Sequence, residues 1–272
     1  MLKYKARGIR KAIVEMIHSA GSGHPGGALS CADVMAALYF CYMRHRPDDP
    51  TWTDRDRFVL CKGHAAPVLY ATLALAGYFP YEELLTLRKF GSRLQGHPDM
   101  KRTPGLDAST GSIGQGLSIA CGLALGAKLQ GKQWRVFALL GDGDLDEGQT
   151  WEAAMFASHY RLYNLVAIID RNGLQVDGPT EKVMSLEPVC RKWAAFGWRV
   201  MEIDGNKMEE VVEALEWAVG GSCGRRTSRP SCIVARTIKG KGVSIMEGNP
   251  DFHGRAPSQE EYEIAMRELG TG

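Results

Sequence analysis

Two runs of sequence decide how this chain folds. The first is Val136-Phe137-Ala138-Leu139-Leu140-Gly141-Asp142-Gly143-Asp144-Leu145-Asp146-Glu147-Gly148, and the second is Asn164-Leu165-Val166-Ala167-Ile168-Ile169-Asp170-Arg171-Asn172-Gly173-Leu174. Each carries a short apolar stretch bounded by glycine or polar residues, which reads as a buried strand. Between them Thr150 to Leu162 has the length of a helix and holds neither Gly nor Pro. A strand–turn–helix–strand unit makes the two strands parallel. The fold class that follows is α/β, a doubly wound, mainly parallel sheet with helices on both faces.

The turn after the first strand carries chemistry. Gly141 and Gly143 let backbone approach a bulky anion, and a following helix offers N–H groups to it. Asp142, Asp144, Asp146 and Glu147 crowd the same turn. Bare phosphate would be repelled there, so a cation between the acids and the anion is implied. Mg²⁺ suits this role, with Ca²⁺ or Mn²⁺ as substitutes, because it takes a few protein oxygens and completes its shell with phosphate and water. Asp142 and Asn172 stand at the carboxyl ends of neighbouring strands, where open α/β sheets bind ligands.

Gly-Asp-Gly followed by Asn172 after 28 intervening residues, with that strand placement, resembles the thiamine-diphosphate motif. The match continues through Glu147, Glu152 and Asp177-Gly178 and is similar to the diphosphate-binding domain of transketolases over nearly the whole chain. A dinucleotide reading stands beside it, with Asp170 as a ribose-binding acid. A Gly-x-Gly-x-x-Gly turn starting at Gly141 needs a small residue at position 146, however, and Asp146 is there. Helix N-terminal capping would explain one or two of the acids but not Asn172.

The chain has 272 residues, 44% hydrophobic and 24% charged, with a net charge of +2. These are ordinary values for a globular protein, and the charge gives no argument for a nucleic-acid or membrane partner. No apolar run approaches the roughly 18 residues of a membrane span, and no apolar signal core follows the basic N-terminus. Seven cysteines without paired metal spacing read as scattered, reduced core thiols of a cytoplasmic protein.

Along the chain, residues 2 to 19 have helical spacing, with Ile9, Ile13, Met16 and Ile17 on one stripe. A glycine-rich loop from Gly21 to Gly27 should end that helix. Further helices are expected over Ser30–Tyr42, from His64 to about Leu75, over Tyr81–Phe90, from Gly116 to about Leu129, over Glu187–Phe196 and over Met208–Val219. Gly122 and Gly126 lie four apart on one of these, which would permit close helix packing. Short strands are expected at Arg57–Cys61, Trp198–Ile203 and Cys232–Thr237. Gly220 to Pro230 reads as a polar connection, and Ser258-x-x-Glu261 as a capping box for a final helix.

His24, His64, His97 and His253 each adjoin a glycine in a breaker-rich loop. Four such loops in one α/β domain favour a shared pocket. Imidazoles there suit diphosphate binding and proton movement near neutral pH. His18, His45 and His159 fall on predicted helices and read as structural. The transketolase resemblance implies specific roles. His64 and His253 contact the diphosphate. His24, His97 and His253 face the substrate and assist proton transfer. Asp142, Asn172 and the Leu174 carbonyl hold the metal. Gly141 and Gly143 lie against the diphosphate, to which Gly143 gives its N–H. The Gly114-Gln115-Gly116 turn lines the cofactor pocket. Glu147 and Glu152 match acids that meet across a subunit interface, and Glu147 is counted among the catalytic candidates. Asp144 and Asp146 receive no role.

The resemblance also implies what would lie elsewhere. Residues 1 to 272 match one diphosphate-binding domain. The pyrimidine-binding domain, with its activating glutamate, and the C-terminal domain would belong to a partner chain. The expectation is the N-terminal subunit of a split transketolase, assembled as a heterotetramer and moving a two-carbon ketol unit from a ketose phosphate to an aldose phosphate. Pentose-phosphate metabolism is the default setting. A 1-deoxyxylulose-phosphate synthase-like enzyme and a non-catalytic regulatory subunit remain open.

Overall fold

The computed structural model describes residues 1–220 and 228–270. In chain order the elements are α1 (Leu2–Ala20), α2 (Pro25–Ser30), α3 (Ala32–Ala37), β1 (Arg57–Leu60), α4 (Ala66–Ala76), α5 (Gln115–Leu129), β2 (Val136–Gly141), α6 (Gly148–His159), β3 (Leu165–Arg171), β4 (Leu174–Gln175), β5 (Gly178–Pro179), α7 (Thr180–Val183), α8 (Val189–Ala195), β6 (Arg199–Asp204), α9 (Met208–Val219), β7 (Ser231–Arg236) and α10 (Gln259–Gly270).

β1, β2, β3, β7 and β6 form, in that spatial order, one parallel sheet. Successive strand residues point to opposite faces, and every residue of β2 and β3 is buried. Phe58, Phe137, Leu139, Val166 and Ile168 join the core under α1, α3, α4 and α9. Val59, Ala138, Leu140, Ala167 and Ile169 join the core under α5, α6 and α8. Strands covered on both faces are therefore continuously apolar rather than alternating. The expected α/β class with helices on both sides is what forms.

Several boundaries differ from the pattern reading. The helix expected from Ser30 begins at Pro25, because proline pre-sets the first helical position. It breaks at Cys31, and α3 runs into a π turn at Leu38–Tyr42. The segment expected as a helix over Tyr81–Phe90 forms only a 3₁₀ turn, Tyr81–Thr86, and Arg88 just beyond it has a left-handed φ of 59°. Gly122 and Gly126 have no neighbour within 4 Å of where a Cβ would stand, so among the described residues no helix packs closely on these two glycines. His45 lies past the helix, where Tyr78 and the Tyr39 carbonyl hold it, and its structural role stands. Glu261 N–H donates to Ser258 Oγ while Ser258 N–H donates to the Glu261 carboxylate, completing the capping box of α10. Of six described free cysteines, Cys31, Cys61, Cys121 and Cys232 are buried; Cys41 and Cys190 are not. Most of the Gly220–Pro230 connection lies outside the described residues.

Candidate functional site

The site lies at the carboxyl ends of β1, β2, β3 and β7. Its loops approach so closely that side chains are excluded from them. A Cβ on Gly63 would stand 2.8 Å from Gly111 N and the Thr110 carbonyl carbon. Backbone therefore lies on backbone, and the Lys62-Gly63-His64 turn is pinned beneath the loop that leads into α5.

Three of the four loop histidines meet. The ring centroids are 5.3 Å apart for His24 and His64, 5.6 Å for His24 and His253, and 5.3 Å for His64 and His253. His97 stays exposed outside this trio, against Gly111. Burial, with Lys62 next in strength, holds His64 down to about 2. Burial, followed by Arg88 for His24 and by Lys239 for His253, holds both near about 4. These imidazoles are neutral at pH 7. In the neutral state each ring offers one donor and one acceptor nitrogen.

A cavity of about 270 Å³ opens below them. Its lining combines Lys62, Lys239, His64 and His253 with Asp142, Asp146, Glu147, Asn172, Leu174 and Asp177. Gly141 and Gly143 line it; His24, His97, Gly114 and Gly116 do not. A Cβ on Gly116 would lie 2.6 Å from Cys61 Cα, so this glycine serves the approach of α5 to the end of β1. Gly114 has a left-handed φ of 83° and gives its N–H to Asp144 Oδ1 at 2.9 Å. Gly141 gives its N–H to Asp144 Oδ2 at 2.8 Å. That donor is already taken within the fold.

Sequence reasoning missed three buried charges. Asp144 joins the turn after β2 to the start of α5. Lys62 is almost wholly enclosed and donates to Asp170 Oδ2 at 2.5 Å and to the Gly27 carbonyl at 2.6 Å. Asp170 also accepts from Ser30 and Thr237 at 2.5 Å and from Asn172 Nδ2 at 3.1 Å. Burial pushes its carboxyl up, but Lys62 and the hydroxyls outweigh this and leave it below the usual range. A ribose could not reach so enclosed an acid, which removes the dinucleotide reading. Lys239 lies 3.0 Å from His253 Nδ1 and 3.4 Å from the Leu174 carbonyl. Burial, then Lys62, lowers it to about 8.

Asp142, Asn172 and Leu174 all line the cavity. Asp142 Oδ1 accepts from Arg171 at 3.0 Å and Oδ2 from Gly173 N–H at 2.7 Å. Asn172 Oδ1 accepts from Leu174 N–H at 3.1 Å, within the loop that leads into the β4–β5 hairpin. One carboxylate, one amide oxygen and one carbonyl form an all-oxygen donor set of the kind a hard divalent cation takes. Among the described residues no group of three His, Cys, Asp or Glu is arranged to hold a metal.

The model of the family "Transketolase, thiamine diphosphate binding domain" matches residues 3–272. The chain belongs to the transketolase family. Subunit SqwG of the 6-deoxy-6-sulfo-D-fructose transketolase of Clostridium sp. is 47% identical, over 98% of this chain and 96% of that protein. One subunit of the apulose-4-phosphate transketolase of Phocaeicola vulgatus is 46% identical, over 96% of this chain and 90% of that protein. The crystal structure of Campylobacter jejuni transketolase superposes with a TM-score of 0.92 at 34% identity, covering 99% of this chain and 42% of that one. In this transketolase-family chain Glu147 and Glu152 both face solvent at the start of α6. Beyond them α5, α6 and the following turn expose Ile119, Leu129, Met155, Phe156, Tyr160 and Tyr163.

Proposed function

We propose that this chain is the diphosphate-binding subunit of a two-chain transketolase, completed by a partner carrying the pyrimidine-binding and C-terminal domains. The observation that carries the reading is the cavity itself, whose lining brings two buried lysines and a set of oxygen donors to one volume of about 270 Å³. Lys239, His64 and His253 would receive the anionic oxygens of thiamine diphosphate. Asp142, Asn172 and the Leu174 carbonyl would hold Mg²⁺ or a similar cation. When bound, the cofactor supplies an electron sink for cleaving a carbon–carbon bond beside a carbonyl.

The remaining chemistry belongs to side chains above the cavity. His24, fixed between His64 and His253, presents a neutral ring to substrate hydroxyls, and His97 stands further out toward solvent. Neutral imidazoles both donate and accept, so they can orient a hydroxyl and pass its proton without first titrating. Glu147 borders the cavity on the side of α6, where a partner's surface would cover it. The exposed apolar side chains of α5 and α6 support such a covering surface, and the subunit names of the two relatives support a heteromer. We place this assembly as a heterotetramer in the cytoplasm. Both relatives act on ketoses or their derivatives with an anionic substituent, which makes a ketose of that kind the proposed donor.

Co-expression with a candidate partner tests the reading. The isolated chain should bind thiamine diphosphate, seen as quenched tryptophan fluorescence, without ketol transfer. The reconstituted pair should turn over. Robust turnover by the isolated chain would refute the two-chain reading.

A further inference from the structure

We infer that Arg171 makes capture of the divalent cation conditional on the diphosphate. The inference rests on the reading of Asp142, Asn172 and Leu174 as the metal set. Arg171 is 5% exposed and reaches four oxygens. Its Nη1 donates to Asp142 Oδ1 at 3.0 Å and to Thr180 Oγ1 at 2.8 Å. Its Nη2 donates to Glu181 Oε1 at 2.8 Å, and its Nε to Glu187 Oε1 at 3.4 Å.

The donor set contains a single carboxylate, and that carboxylate is already paired with a fixed guanidinium. Lys239 stands 3.4 Å from the Leu174 carbonyl and adds a second positive charge close by. An incoming dication therefore meets little net negative potential. The acids that could offset Arg171 lie outward or are already paired: the side chains of Glu181 and Glu187 are 43% and 37% exposed, Asp146, Glu147 and Asp177 at the cavity are exposed, and the buried Asp170 is held by Lys62. Water screens the exposed acids more than it screens the buried Asp142–Arg171 pair. Glu187 is also shared with Arg236, at 2.7 Å. An anion with the charge of a diphosphate, placed against Lys239 and beside the donor set, reverses the balance. Arg171 is thus a positioning residue acting through Asp142. It holds the carboxylate ready while discouraging stray cations from an empty cavity.

The test uses Mn²⁺ and the full chain, with bound metal read from the electron paramagnetic resonance signal of the free ion. Wild-type chain should hold Mn²⁺ weakly alone and much more tightly with thiamine diphosphate, after correction for Mn²⁺ bound to free cofactor. Arg171→Met should tighten binding of Mn²⁺ alone by on the order of tenfold. Arg171→Lys, which keeps the charge, should not. Glu181→Gln, which touches no metal ligand, should weaken it, and this variant decides the matter if Arg171→Met fails to fold. Tight Mn²⁺ binding by wild type without the anion, or unchanged binding in Arg171→Met and Glu181→Gln, would overturn the inference. Absence of Mn²⁺ binding to any form, with or without the cofactor, would instead overturn the metal reading beneath it.

Discussion

Asp144 takes the N–H of Gly114 on one carboxylate oxygen, at 2.9 Å, and so ties the entry of α5 to the turn that follows β2. Its other oxygen takes Gly141 N–H at 2.8 Å. Both oxygens are engaged and the residue is 1% exposed. Asp144→Ala would leave two buried donors without partners, at a cost of about 1–3 kcal/mol for each. Urea denaturation should show this loss. A stability unchanged from wild type would contradict the bridging role.

Lys62 and Asp170 form a fully enclosed ion pair at the floor of the site. Lys62→Met strands the carboxylate and should destabilise the chain by about 3–5 kcal/mol. Replacing both, Lys62→Met with Asp170→Leu, removes the uncompensated charge and should recover a large part of that loss. Thermal melts of the two variants decide this. A double variant no more stable than the single one would show that the hydroxyls around Asp170, rather than the charge, dominate.

Lys239 gives a pH dependence to cofactor binding. The free chain holds its ammonium at about 8, below the ordinary lysine value, because of burial and then Lys62. The charged form is the one that attracts a diphosphate. Affinity should be flat below about 8 and fall as pH rises above it, and Lys239→Gln should be weaker and flatter. Fluorescence titrations at fixed free Mg²⁺ measure both. An affinity that does not decline above this pH would remove Lys239 from the binding wall.

His64 gives a pH dependence to stability in the opposite direction. Burial, then Lys62, lowers it from 6.5 to about 2 in the folded chain. The unfolded chain therefore takes up the proton first. Stability should be full above 6.5 and decline below it, by up to about 1.4 kcal/mol per pH unit from this residue. His64→Gln should melt with a shallower acid dependence than wild type. Parallel slopes for the two proteins would count against the buried neutral imidazole.

The central βαβ unit was legible because β2 and β3 are covered on both faces, and full coverage writes a continuous apolar run. The histidine loops were legible because each histidine has a glycine beside it, and at two of them, Gly23 and Gly63, a side chain would collide with Ile17 or with the Thr110–Gly111 backbone. Lys62 and Asp170 were not, because their pairing spans 108 positions and leaves no local pattern. Asp144 was passed over for the same reason: its value lies in two backbone N–H groups that only tertiary packing brings to it. Gly116 was assigned to the pocket because a glycine reads alike whether it faces a ligand or, as here, the Cys61 backbone. The neutral state of the imidazoles depends on burial, on Arg88 and on two lysines, none of which spacing reveals.

The imidazole trio joins residues near opposite ends of the chain, with His24 and His253 separated by 229 positions yet in ring contact. During vectorial synthesis the first member leaves the ribosome long before the last. Lys239 is equally late, since it follows β7. Cofactor can therefore give little help to a nascent chain, whose sheet must form on its apolar strands alone. Ligand rescue of a folding-defective variant should act only once the chain has emerged past His253, as a trap for folded molecules rather than a template for growing ones.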